Sequence, residues 1–109
     1  MERGAIYRVN LEPTQGREQQ GDARPCVVLS LSAFNEARST VVVVPLSSSS
    51  RPLPPFFVAV PSTGRASATA LCDQVRAIDK SRVVGNKRGA LSVQDLADVE
   101  RSVRQILGL

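Results

Sequence analysis

The sequence contains no histidine and no tryptophan, and aromatic residues make up only 4% of its 109 positions. Without histidine, neither a Ser-His-Asp triad nor a Cys-His dyad can form. No Gly-rich loop with a following lysine is present to cradle a phosphate. Two cysteines, Cys26 and Cys72, are too few ligands for a zinc site, and no carboxylate cluster has metal-ligand spacing. The sequence therefore predicts neither a metal nor a cofactor.

Long apolar runs and export signals are missing as well. No run approaches the ~20 apolar residues that a membrane-spanning helix needs. The start of the chain, MERGAIYRVN, has no apolar signal-peptide region. We therefore expect no membrane association, a cytoplasmic location, and two buried thiols rather than a disulfide. A hydrophobic content of 42% over 109 residues predicts a single globular domain spanning residues 1–109.

The net charge of +4 is unevenly distributed. Residues 38–88 hold eight basic and two acidic side chains, whereas the flanking regions hold a small acidic excess. Twelve of the fourteen cations are arginine, whose guanidinium binds phosphate through two parallel hydrogen bonds. This favours a polyanionic partner, although arginine used for solubility would give the same composition.

Short β-prone segments dominate the chain. Strands are predicted over residues 5–11, 25–31, 40–46, 56–60 and 69–78, with a turn near Gly64. A single helical turn is predicted over residues 32–37, with Ser32 as its cap. The run TVVVVPL at residues 40–46 is the most β-prone and is expected to be a central strand.

The last segment changes to a helical period. Ser92 and Asp95 form a pair like a capping box. The apolar stripe that follows consists of Leu96, Val99, Val103, Ile106 and Leu107. About five short strands with one terminal α-helix predict a mainly β (α+β) fold, a small curved β-barrel closed by that helix.

The available side chains suit cleavage of RNA by its own 2′-hydroxyl. That reaction needs a base for the 2′ proton and cations around the pentavalent phosphorus. Glu18 or Asp73 could be the base, and Arg24 and Arg17 could supply the charge. Since arginine has a pKa above ~12, electrostatic stabilisation suits it better than proton donation.

Each candidate also has a simpler explanation. Arg24 could merely neutralise Asp22, and Asp73 could lie on the solvent face of its strand. Ser47 could belong to a linker, and Glu18 and the glutamines after it could be ordinary polar residues of a loop.

Several segments together resemble the MazF/PemK family of toxin endoribonucleases. They are RGAIYRVNLEPTQGREQQG, RPCVVLS, VVVVPLSS, CDQVRAIDKSRV and GALSVQDLADVERSVRQILGL, which cover nearly the whole chain in order. The resemblance implies an SH3-like barrel of the CcdB/PemK-like type and a homodimer. It also implies metal-independent cleavage of single-stranded RNA, leaving a 2′,3′-cyclic phosphate and a 5′-hydroxyl. A cognate MazE/PemI-like antitoxin would cover the active site with a disordered segment.

The same resemblance implies roles for individual residues. The family's catalytic arginine, serine or threonine, and acidic base match Arg24, Ser47 and Asp73. The loop that would act as a lid over RNA includes residues 16–19. The RNA-binding candidates are Arg17, Glu18, Gln19, Phe57, Gln74 and Arg76.

Two positions depart from PemK-type members, which have arginine where this chain has Leu71 and a lid histidine where it has Arg17. The pair Arg24 and Ser47 is therefore the firmer part of the assignment. The alternatives are a CcdB-like gyrase poison and a non-catalytic RNA-binding barrel. The gyrase poisons are associated with a tryptophan near the C-terminus, which this chain lacks.

Overall fold

In the part of the chain that the structure describes, seven antiparallel strands form one sheet, and a long helix follows them. The computed structural model describes residues 1–11, 23–64 and 68–109. The strands are β1 (Ala5–Val9), β2 (Arg24–Val28), β3 (Thr40–Ser47), β4 (Phe57–Ala59), β5 (Thr69–Leu71), β6 (Arg76–Asp79) and β7 (Val83–Ala90). The helices are α1 (Ser32–Ala37) and α2 (Val93–Leu107), with 3-10 turns at Pro61–Thr63, Cys72–Gln74 and Lys80–Arg82.

Strand β3 is the centre of the sheet. It pairs with β2 on one side and with both β5 and β6 on the other, in the order β4-β5-β3-β2-β1-β7 with β6 beside β3. Its valines are β-branched and suit a strand that is buried on both faces. The predicted central strand is confirmed. Within the described ranges β4 and β7 do not pair with each other, so closure into a barrel is not detected.

The core lies on both faces of the sheet. One cluster, which includes Val44 and Leu46, is covered by Val99 and Val103 of α2. A second cluster on the other face includes Val43 and Cys26. The predicted fold, a mainly antiparallel sheet with a C-terminal helix, is confirmed, and both cysteines are free and buried as expected. None of the helices in the described ranges is long and apolar enough to cross a membrane.

The apolar stripe of α2 is confirmed except at its end. Leu96 and Ile106 pack against the first core cluster, but Leu107 is 55% exposed. Leu107 lies only about 40° around the helix from Val103, but it is the last residue of α2, where the stripe ends. The prediction for Leu107 was wrong for that reason.

The start of α2 is capped as predicted, but only in part. The Ser92 hydroxyl accepts a hydrogen bond from the Asp95 amide at 3.1 Å. The Asp95 carboxylate does not return to Ser92, and accepts instead from the Ser62 amide at 2.8 Å. The Ser92 amide donates to the Ser62 hydroxyl at 3.0 Å. The 3-10 turn at Pro61–Thr63 is thereby fastened to the first turn of α2.

The N-terminal Arg-Gly motif also contacts α2. Arg3 forms an ion pair with Glu100, and its Nε donates to the Leu29 carbonyl at 3.0 Å. Gly4 has φ +91°, and a Cβ there would lie 3.2 Å from Leu96. Glycine is favoured at this position because of both its backbone angle and the close approach of the helix.

Two predictions of local structure were wrong. The N-cap of α1 is Leu31 rather than Ser32, because the Ser32 hydroxyl accepts from the Arg3 amide instead. The predicted strand over 69–78 is interrupted by the 3-10 turn at Cys72–Gln74. Ala70 pairs with Leu46 and Arg76 pairs with Val43, so six residues of the predicted strand correspond to only three residues of β3. The additional residues leave the sheet and form that turn.

Strand β7 was not predicted at all. Its sequence VVGNKRGA lacks alternation, and Gly85 and Gly89 both have positive φ. Ile6 pairs with Gly89 and Arg8 pairs with Val84, so two residues along β1 correspond to five along β7 and β7 is bulged. An exposed, bulged edge strand carries little of the apolar periodicity on which sequence prediction depends.

Candidate active site

A cleft of about 610 Å³ opens where β2 begins and β3 ends. Its described lining consists of Leu11, Arg24, Pro45, Ser47, Ser49, Ser50, Leu71, Gln74 and Arg76, and we call it the Arg24 cleft. Four residues predicted from the sequence therefore meet in one place, namely Arg24, Ser47, Gln74 and Arg76. The interruption between β5 and β6 contributes to this arrangement, because it takes Gln74 out of the sheet.

Arg24 is the first residue of β2, and its side chain is exposed. The guanidinium makes no hydrogen bond or ion pair with any other described residue. Asp22, its alternative partner, lies outside the described residues. Arg24 is thus an exposed cation in a concave site, as an anion-binding residue needs to be.

A second guanidinium belongs to the same cleft. Arg76 donates to the Leu11 carbonyl at 3.3 Å, which leaves further donors on its guanidinium. Burial raises the pKa of the Cys26 thiol to about 12, while the positive charges of Arg24 and Arg76 act in the opposite direction. Both arginines therefore act on the same small volume at the end of the sheet.

The Ser47 hydroxyl has a defined orientation. Its oxygen accepts hydrogen bonds from the amides of Ser49 and Ser50, each at 3.2 Å. It also lies 3.0 Å from the Ser50 hydroxyl oxygen. Because two amide donors occupy its lone pairs, the Ser47 hydroxyl is suited to donate its proton rather than to attack as a nucleophile. No described carboxylate or imidazole contacts it as a base.

Ser49 and Ser50 were not predicted from the sequence as site residues. Thr69 anchors their turn by donating to the Ser50 carbonyl at 3.0 Å. The available signal was the serine run that follows directly after a strand, since serine hydroxyls bond to amides two and three residues ahead in such turns. The run forms a hydrogen-bonded rim on the Arg24 cleft.

Other predicted residues lie beside the cleft or beyond the described ranges. Asp73 is exposed and adjacent to Gln74, but does not line the cleft. Phe57 pairs with Leu71 across β4 and β5, and only Leu71 is part of the lining. The lid candidates Arg17, Glu18 and Gln19 lie outside the described residues.

The described lining of the Arg24 cleft carries cations and hydroxyls but no carboxylate, thiol or imidazole. Nor does any group of three such potential metal ligands occur in residues 1–11, 23–64 and 68–109. Two arginines beside a hydroxyl-rich rim can hold a phosphate and stabilise additional negative charge on it.

Comparison with known proteins agrees with this chemistry. The family model described as "PemK-like, MazF-like toxin of type II toxin-antitoxin system" matches residues 2–107. The chain belongs to this family. The resemblance found in the sequence is therefore confirmed, and the family favours a nuclease over a gyrase poison.

Relatives of the PemK/MazF family cover most of the chain. Endoribonuclease PemK of Escherichia coli is 42% identical over 81% of this chain and 67% of its own length. Endoribonuclease toxin MazF of E. coli K12 is 30% identical over 96% of this chain and 92% of its own length. A MazE–MazF crystal structure from Deinococcus radiodurans has a TM-score of 0.84 and 28% identity, covering 100% of this chain and 96% of that one. The toxin endoribonuclease class predicted from the sequence is thus confirmed.

Proposed function

We propose that this toxin cleaves single-stranded RNA without a metal ion, by attack of the 2′-hydroxyl on the adjacent phosphate. The products are a 2′,3′-cyclic phosphate and a 5′-hydroxyl. The observation that carries the proposal is the meeting of Arg24, exposed and with no partner among the described residues, with Ser47 and Arg76 in one cleft of a PemK/MazF family member. Cleavage of messenger RNA in this way would inhibit translation and growth.

The cleft supplies the electrostatic part of such a reaction. As the 2′ oxygen bonds to phosphorus, negative charge increases on the two non-bridging oxygens. Arg24 stabilises that charge, with Arg76 as a second cation nearby, and the Ser47 hydroxyl donates one neutral hydrogen bond to the same phosphate. An arginine-rich lining disfavours a divalent cation at this point, which supports a mechanism without metal.

The proton transfers need groups beyond the described lining. A base takes the 2′ proton, and the 5′ oxygen leaves with the bonding electron pair and takes a proton from water. Asp73 and Glu18 are the two candidates for the base. Asp73 is supported by its position next to Gln74, which lines the cleft.

The proposal includes two protein partners. An acidic antitoxin segment is expected to cover the Arg24 cleft and compete with RNA, as suggested by the likeness to the MazE–MazF structure of D. radiodurans. We also propose a homodimer, since β7 is an edge strand that pairs only with β1 within the described ranges and is exposed along nearly its whole length.

The test is incubation with a long RNA in EDTA, followed by mapping of the ends. We expect cleavage to persist, with cyclic phosphate and 5′-hydroxyl ends at the same positions. An RNA with 2′-deoxy nucleotides at those positions should remain intact. Loss of activity on chelation with recovery on added Mg²⁺, or cleavage of the deoxy substrate, would contradict the mechanism.

A further inference from the structure

A second cleft, of about 280 Å³, touches the Arg24 cleft at Ser47. The Arg24 cleft is lined by Arg24 of β2 and Pro45 of β3. The second cleft is lined by the next residue of each strand, Pro25 and Leu46. Adjacent residues of a strand point to opposite faces, so the two clefts lie on opposite faces of the sheet where β3 ends. A chain that binds in one cleft and passes the end of β3 reaches the other.

The second cleft has a polar rim and an apolar floor. Arg8 of β1 and Arg88 of β7 stand at the rim, and we call it the Arg88 cleft. Its floor is formed by Ile6, Leu46 and Ala68 of the first core cluster. Guanidinium groups bind phosphate, and an apolar floor suits the face of a base. The volume is at the lower end of the range of ligand sites, which suits a single nucleotide.

The two arginines differ in how much of their hydrogen-bonding capacity the protein uses. Arg8 donates to the Ala23 carbonyl, at the point where the chain enters β2. Arg88 is exposed and makes no hydrogen bond or ion pair with the described part of the chain. The neighbouring Lys87 does not line the cleft and is paired with Glu2. Arg88 is therefore placed to bind an external anion, and Lys87 is not.

We infer that the Arg88 cleft is a second RNA subsite, which binds one nucleotide flanking the cleaved bond and contacts its phosphate through Arg88. The inference rests on the proposed function, because the cleavage position defines which nucleotide is the flanking one. RNA is favoured over an acidic protein segment because Ser47 joins this cleft directly to the phosphate-binding one and because the floor is apolar.

The experiment compares Arg88→Ala with the matched control Lys87→Ala, which removes an equal charge from the adjacent residue. The probes are RNA oligonucleotides with a 2′-deoxy nucleotide at the mapped cleavage site. One short form contains only the nucleotides at that bond, and longer forms extend it on the 5′ or the 3′ side. Affinity is measured by fluorescence anisotropy at several salt concentrations, and thermal unfolding checks that the variants fold.

We expect Arg88→Ala to weaken one of the two extended series by about tenfold, since a charge-assisted hydrogen bond is lost. The salt dependence should fall by about 0.7 in slope, corresponding to one phosphate of a single strand. The short oligonucleotide and the Lys87→Ala variant should bind as before.

Three results would overturn the inference. They are unchanged binding of both extended series, an equal loss for the short and long forms, and an equal loss in Lys87→Ala. Weaker binding of polyglutamate with unchanged RNA binding would assign the cleft to an acidic protein instead. Failure of the wild type to cleave RNA would contradict the proposed function, whereas a cleaving wild type with an unaffected Arg88→Ala contradicts only this subsite.

Discussion

Replacing Arg24 by alanine tests whether the guanidinium stabilises the transition state or merely binds RNA. The side chain is exposed and has no partner among the described residues, so unfolding free energy should change by no more than ~0.5 kcal/mol. Arg76 remains in the cleft and still attracts the phosphate. We therefore expect the affinity for uncleavable RNA to fall by less than about tenfold.

The cleavage rate should respond far more strongly. Loss of one positioned donor to a developing oxyanion typically lowers the rate by ~10²–10³. Single-turnover cleavage gives that rate, and binding of the 2′-deoxy oligonucleotide gives the affinity of the ground state. Arg38→Ala is the matched control, because Arg38 is an exposed cation near the opposite end of β3 from Ser47.

Either of two outcomes would refute the reasoning. An unchanged single-turnover rate would remove Arg24 from the mechanism and shift attention to Asp73 and Arg17. A fall in rate at subsaturating RNA that is fully matched by a fall in affinity would assign Arg24 to ground-state binding alone.

Four further changes have defined expectations. Ser47→Ala should lower the single-turnover rate less than Arg24→Ala, and should also cost ~0.5–2 kcal/mol of stability in urea unfolding because two amides lose their acceptor; threonine at 47 should restore both. Asp73→Asn should lower the single-turnover rate if Asp73 is the base, while a rate like the wild type would leave that role to the lid. Asp95→Ala should destabilise the fold by ~1–3 kcal/mol in urea unfolding, since the Ser62 amide loses its hydrogen bond to a buried carboxylate, with cleavage ends unchanged. Burial raises the thiol pKa values of Cys26 and Cys72 from 9.0 to about 12 and about 11. The two neutral thiols therefore contribute fully to the unfolding free energy below pH 9, and this contribution falls as the pH rises above that value. A double variant with Cys26→Ala and Cys72→Ala should show a smaller decline in stability between pH 9 and about pH 11.

Sequence patterns predicted the elements whose burial is regular. The valine run of β3 and the apolar stripe of α2 repeat at the strand and helix periods, and the structure contains both. Long-range contacts determined the rest. The donor to the Asp95 carboxylate could not be read from its neighbours, because that donor is the amide of Ser62, 33 residues away. The glycines of β7 removed the alternation that would have revealed a strand.

The candidate site divides in the same way. Arg24, Ser47, Gln74 and Arg76 could be proposed from family motifs, and the cleft brings them together. Composition alone favoured the simpler explanation for Arg24, since charge pairing with a neighbour in sequence is always available. Arg88 carries no local signal, because its position in a cleft depends on bulged pairing with β1. Interactions that depend on the register between strands far apart in the chain are the hardest to predict from a single sequence.

Ser47 is the last residue of β3, so this side of the Arg24 cleft depends on the stability of β3 against unfolding. Strand β3 holds hydrogen bonds to three other strands, and Val41, Val43 and Val44 are fully buried. Backbone amides in such a strand exchange with solvent only when the entire domain opens, whereas exposed loop amides exchange through small fluctuations. The anchor point of the cleft is thus coupled to global unfolding, and sub-global fluctuations of the outer strands leave it in place.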